Sequence, residues 1–108
     1  MRKIEALMIA AVKNGRDWKS GNTSVDVTDN GVIVRLHGNK IAQVDHEART
    51  VYVTDAGWQT TTTKSRLNAL LRGVCNRGHV FQKDFVWYLE RGGEATEMDR
   101  NQAYAVSL

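Results

Sequence analysis

The sequence predicts an α+β domain: a curved antiparallel sheet of about six strands, in the order α-ββββ-α-ββ, with two helices packed on it. Three observations predict it. Apolar residues recur at helical spacing over the first thirteen positions. They alternate with polar residues, at strand spacing, between Val25 and Thr54. They return to helical spacing between Thr63 and Val74.

The first helix runs from about Arg2 to Lys13. Ile4, Leu7, Met8, Ala11 and Val12 make one stripe, and Asn14-Gly15 is a stop signal. Val25 and Val27, then Val32, Val34 and Leu36, flank Asp29-Asn30-Gly31, whose Asn-Gly pair suits a type I′ turn. His37-Gly38-Asn39 is the next turn. Ile41–Asp45 makes a third strand, His46–Arg49 a polar connection, and Thr50–Thr54 a β-branched fourth strand. The loop Asp55–Gln59 and the run Thr60–Thr63 lead into the second helix. Its inward face carries Thr63, Leu67, Leu70, Leu71 and Val74, and Asn76-Arg77-Gly78 ends it. A last hairpin joins Val80–Gln82 to Phe85–Glu90 across Lys83-Asp84. Phe85, Trp87 and Leu89 share one face of it, Val86 and Tyr88 the other, which predicts cover on both sides. Residues 1–92 read as a single domain. Residues 93–108 form an acidic tail, open between a short helix (Glu94–Gln102) and a strand (Ala103–Leu108).

The 108 residues are 42% apolar and 25% charged, enough for one modest core. That composition excludes a disordered chain and a multidomain enzyme. No apolar run approaches eighteen residues, so no membrane span is expected. Met1-Arg2-Lys3 ahead of Leu7–Val12 faintly suggests a signal peptide. Glu5 interrupts the run and no small-x-small cleavage site follows, so a structural helix is expected. Cys75 is the only cysteine, which fits a reducing compartment.

Catalytic patterns are missing. His37, His46, His79 and Cys75 are scattered, and only Cys75 and His79 stand four apart, so no metal site is expected. There are no paired carboxylates and no glycine-rich phosphate loop. The expectation is a protein that is not an enzyme and needs no cofactor.

The net charge of +3 is unevenly spread. Residues 1–57 carry +1, residues 58–91 carry +4, and residues 92–108 carry −2. Within the basic zone lies Trp58–Asn68. A helix start normally has a hydroxyl cap followed by acids. Here the first turn holds Lys64 and Arg66, each opposing the helix dipole at a cost of about 0.3–1 kcal/mol. Backbone N–H groups, hydroxyls and two cations together make a spot suited to phosphate. In that reading Thr62, Thr63, Lys64, Ser65 and Arg66 contact phosphate. Asn68 and Arg72 extend the contact, and Arg35 with Lys40 widens the basic face. Trp58 either stacks on a base or plugs the core. The alternative is a threonine-capped helix whose Lys64 and Arg66 pair with Asp55 or Asp84.

Three blocks, Gly21-Asn22-Thr23-Ser24-Val25, Leu36-His37-Gly38-Asn39-Lys40-Ile41-Ala42 and Gly57–Leu70, stand in the order found in a family of small tailed-bacteriophage proteins, which the chain resembles over residues 2–90. The resemblance implies a phage or prophage origin and a bacterial cytoplasm; it carries over no site residues. A looser, purely topological similarity is to small DNA-binding domains that read the major groove with a sheet face. The sequence therefore leads to a non-enzymatic phage protein that binds nucleic acid, DNA or RNA, through the basic turn of its second helix. The other reading is an inhibitor of a host or anti-phage defence protein, with the acidic tail docking on a basic partner.

Overall fold

The first stripe folds as its spacing predicts, with one shift. In the computed structural model, which describes residues 1–108, helix α1 spans Lys3–Asn14. Its buried face holds Met8, Ile9, Ala11 and Val12, and also Glu5, while Leu7 turns outward. Gly15 closes the helix with φ 59°. Its N–H donates to the Val12 carbonyl and the Arg16 N–H to that of Ala11, so the terminal carbonyls are satisfied by a Schellman ending.

Five strands follow: β1 (Trp18–Ser20), β2 (Thr23–Val27), β3 (Gly31–Leu36), β4 (Asn39–Asp45) and β5 (Thr50–Val53). Helix α2 spans Thr61–Leu70 and continues into a π-helical turn, Leu71–Cys75, ended by Asn76 at φ 54°. Then come β6 (His79–Lys83), β7 (Val86–Arg91), β8 (Glu94–Glu97) and β9 (Tyr104–Ser107). The strands form two antiparallel sheets, one in the order β1-β2-β3-β4-β5-β9 and one in the order β6-β7-β8. The α+β class and both helices match expectation; the strands number nine, not about six.

The extra strands have local causes. Three residues, Trp18–Ser20, are too few to show a period. The tail is strand at both ends of its range, so the helical alternative for Glu94–Gln102 fails. Gly92 and Gly93, at φ 56° and 87°, reverse the chain and lay Glu94–Glu97 along β7. Tyr104–Ser107 pairs with β5 and forms the far edge of the larger sheet.

The type I′ turn expected at Asn30-Gly31 is not formed, because neither residue has a positive φ. Gly31 instead lies within β3 opposite Asp45, where a Cβ would run into the Val44 carbonyl oxygen. The glycine serves close strand approach. Paired positive φ angles occur at His37-Gly38 and at Asp84-Phe85. Phe85 thus belongs to a turn and does not share the buried face of Trp87 and Leu89.

Valines of β2 to β5 fill the inner face of the larger sheet and meet Met8 and Val12 of α1 and Leu67 and Leu70 of α2 in one core. Val80, Trp87 and Leu89 join that core from the smaller sheet. The opposite face of β7, expected to be covered, is not: Val86 and Tyr88 stay partly exposed.

Candidate functional site

The cation at the centre of the expected phosphate site is buried and neutralised. Arg66 is 3% exposed and its Nη1 lies 2.8 Å from Oε2 of Glu5, itself 2% exposed. The guanidinium also donates through Nε to Thr23 Oγ1 (3.0 Å) and through Nη2 to Asn22 Oδ1 (3.3 Å). Glu5 accepts in addition from the Ser65 hydroxyl (2.5 Å) and the Arg2 N–H (3.2 Å). Burial alone would raise the Glu5 pKa. Hydrogen bonds from Ser65, Arg66 and Arg2, with the Arg66 charge, outweigh it and hold the carboxyl below its ordinary value. Neither Asp55 nor Asp84 is the partner. Asp55 is buried among the Gly57 and Asn101 N–H groups and the Gln59 amide. Arg66 is thus spent on a structural junction of α1, α2 and the β1–β2 turn, to which Ser65 also donates; Ser65 stays half-buried and lines a shallow cleft with Asn68 and Arg72. The sequence signal for this was Glu5, an acid set within an apolar helix face.

Two more residues of the expected site are internally engaged. Thr63 is buried; its N–H donates to Thr60 Oγ1 (3.1 Å) and the two hydroxyls share a hydrogen bond (2.9 Å). The Asn68 amide donates to the Val80 carbonyl (2.9 Å) and accepts the Val80 N–H (2.6 Å). It pairs with β6 as a neighbouring strand would and so blocks part of that edge. Replacing Asn68 with alanine leaves both Val80 groups without partners, and urea unfolding should show a loss of about 1–2 kcal/mol.

Lys64 and Arg72 make no ion pair. The Lys64 ammonium lies 6.0 Å from the centroid of the Trp87 ring. Arg35 pairs with Asp26 at 3.0 Å on the other side of the larger sheet from α2. The structure therefore does not gather Arg35, Lys64, Arg66 and Arg72 on one face.

What it does build at the head of α2 is a cleft of 410 Å³. Leu36, Ile41 and Ala56 supply apolar lining; His37, Asn39, Thr60 and Thr62 supply polar lining. Trp58 also lines it and is 62% exposed, so it does not plug the core. The Trp58 N–H donates to the Asp55 carbonyl and the Thr60 N–H to the Trp58 carbonyl. The backbone is thereby pinned while the indole stays free. Arg100 reaches the same loop, donating to the Gly57 carbonyl at 3.0 Å. The three sequence blocks converge here. The second and third line the cleft, and the first, through Asn22, accepts the His37 N–H (2.7 Å) and touches Arg66.

The strand register adds a feature that no local pattern reveals. Lys19, Ser24, Arg35 and Lys40 stand side by side in one row across β1 to β4. Asp26, Ile33, Gln43 and Tyr52 form the adjacent row. These rows occupy the face opposite the buried valines. Lys40 directly follows Asn39, so the basic row begins at the rim of the cleft.

Cys75 is buried, and that burial pushes its thiol pKa up against a smaller opposing effect of Arg77. It is a packing residue, poorly ionised at neutral pH. No group of three His, Cys, Asp or Glu side chains comes together to hold a metal, and no helix is long and apolar enough to cross a membrane.

A family model described as Kyanoviridae Gp96 protein matches residues 1–106. No curated protein and no solved structure matches the chain.

Proposed function

The chain belongs to the Kyanoviridae Gp96 protein family, a family of phage proteins, and on that premise we propose that it binds single-stranded nucleic acid, without catalysis, in the cytoplasm of the bacterial host. The observation that carries this reading is the exposed indole of Trp58 at the start of a cationic row, in a cleft whose one lining acid, Asp55, is buried and taken up by Gly57, Gln59 and Asn101.

A base that has left its stack presents two flat faces and an edge. Trp58 offers a ring for one face, and Asn39, His37 and Thr62 offer polar atoms for the edge. Such stacking contributes about 1–3 kcal/mol per base and tolerates any sequence. The first turn of α2 supplies unpaired backbone N–H groups for a phosphate oxygen. From there the strand passes over the β3–β4 turn, and its phosphates meet Lys40 and Lys19 and compete with Asp26 for Arg35. A duplex keeps its bases stacked and gives Trp58 nothing to hold, which favours single strands.

Salt dependence tests the cationic row. Lys19 and Lys40 neutralise two phosphates on a single strand, Arg35 being paired with Asp26, which predicts a slope of about −1.4 in log K against log salt. Fluorescence anisotropy of a labelled oligothymidylate, measured from low to physiological salt, should give that slope. The triple variant Lys19→Gln, Arg35→Gln, Lys40→Gln should flatten it. An unchanged slope in the triple variant rejects the row as the phosphate track.

A further inference from the structure

The smaller sheet leaves a face that nucleic-acid binding does not use. Its register sends Val80, Trp87 and Leu89 into the core. The opposite face therefore carries His79, Phe81, Lys83, Val86, Tyr88 and Glu90, with Glu97 in register beside Tyr88. No helix or strand lies over it. The His79 and Phe81 rings are 5.3 Å apart, and Phe81 stacks on Tyr88 at 5.4 Å and 20°.

Beside this row stands Phe85, at the tip of the β6–β7 turn. It is 93% exposed and has φ 67°. A bulky side chain in left-handed backbone is a genuine outlier, and glycine or asparagine would relieve it. So exposed a ring buries almost nothing, and the fold gains little from it. Strain kept at an exposed aromatic is the mark of a position held for contact with something else.

Charge identifies that partner. On this face Glu90 and Glu97 outnumber the one lysine, Lys83, and residues 79–97 as a whole carry −2 whereas the rest of the chain carries +5. Carboxylates in register with the rings repel phosphate. They suit a guanidinium, which lies flat on an aromatic ring while its N–H groups pair with carboxylate. Glu90 accepts the Gly93 N–H through Oε1 (2.8 Å), and its Oε2 lies 3.6 Å from His79 Nδ1. We propose that this face docks an arginine-bearing segment of another protein: guanidinium groups lie on Phe81 and Tyr88, pair with Glu97 and with Oε2 of Glu90, and the segment packs its apolar part on Phe85. The surface is separate from the Trp58 cleft, so the protein can hold a strand and a protein partner together.

The test uses the full chain and two labelled peptides, one of alternating arginine and valine and one with citrulline for every arginine. The arginine peptide should bind and the citrulline peptide should bind at least about tenfold more weakly, the equivalent of about 1.4 kcal/mol. Glu90→Gln with Glu97→Gln should weaken the arginine peptide by a similar factor. Phe85→Gly should weaken it too, while melting at a higher temperature than the parent because the strained φ is relieved. A merely structural phenylalanine would not separate those two readouts. Trp58→Ala should leave peptide binding intact, so failure here and failure of the nucleic-acid reading are distinguishable. The proposal is overturned by no binding of the arginine peptide, by equal binding of the two peptides, or by unchanged binding in the Phe85→Gly variant. It is equally overturned if Phe85→Gly abolishes oligothymidylate binding, or if it disperses a dimer of the parent chain seen in sedimentation.

Discussion

Arg66→Ala is expected to lower stability by about 3–5 kcal/mol, because it strips a buried carboxylate of its counter-charge. Glu5 would keep Ser65 and the Arg2 N–H, but neither carries a full positive charge. Thr23 and Asn22 lose a donor at the same time. Glu5→Ala should cost a similar amount by stranding the guanidinium. The double change Glu5→Leu with Arg66→Met should cost far less than either, since a packed apolar pair roughly replaces a buried ion pair. Urea unfolding of all three variants measures the pattern. The pH dependence has a fixed sign. Folding lowers the Glu5 pKa, so its contribution is fully present above the unfolded value near 4.5 and disappears as pH falls through the lower folded value. Glu5→Gln should flatten the acid limb of the stability curve. A single-variant loss below about 1 kcal/mol would place the pair among ordinary surface ion pairs.

Trp58→Ala is expected to weaken oligonucleotide binding about 5- to 150-fold, the loss of about 1–3 kcal/mol of stacking on one base. Stability should hardly change, because the indole is mostly exposed and its loop is fixed by backbone hydrogen bonds. Trp58→Phe should keep much of the affinity, since a smaller ring still offers a face. That ordering, tryptophan above phenylalanine above alanine at constant stability, separates stacking from a general weakening of the loop. Arg66→Ala cannot be read this way: any binding loss there follows from damage to the fold that positions α2.

How far the sequence foretold the molecule depended on range. Helix α1, its glycine stop and the β2–β5 meander rest on contacts between near neighbours, and periodicity shows them. The Arg66 partner lies 61 positions away on α1. A cation at a helix start looks the same whether its carboxylate is distant or missing, so the sequence leaves a free cation and one paired with Asp55 or Asp84 both open, and the helix start itself does not point to Glu5. The engagement of Asn68 is hidden for a related reason: a side-chain amide pairing with β6 needs the tertiary arrangement of α2 and the smaller sheet. The placement of Trp58 and Thr62 at the cleft was legible because the loop and cap that present them are local. The placement of Lys19 was not. Its alignment with Arg35 and Lys40 depends on register, and β3 and β4 carry an irregularity between Val34 and Arg35 that shifts the row by one residue. Phe85 followed a simple alternation that the left-handed turn interrupted.

Titration of the intact protein with oligothymidylate, followed by tryptophan emission, tests base stacking on Trp58 most directly. Trp87 is buried and Trp18 partly so, which leaves Trp58 as the most exposed indole. Emission should be quenched in step with binding seen by anisotropy, and the quench should vanish in Trp58→Phe. Binding without any quench, or an equal quench in Trp58→Phe, would contradict a base seated on that ring.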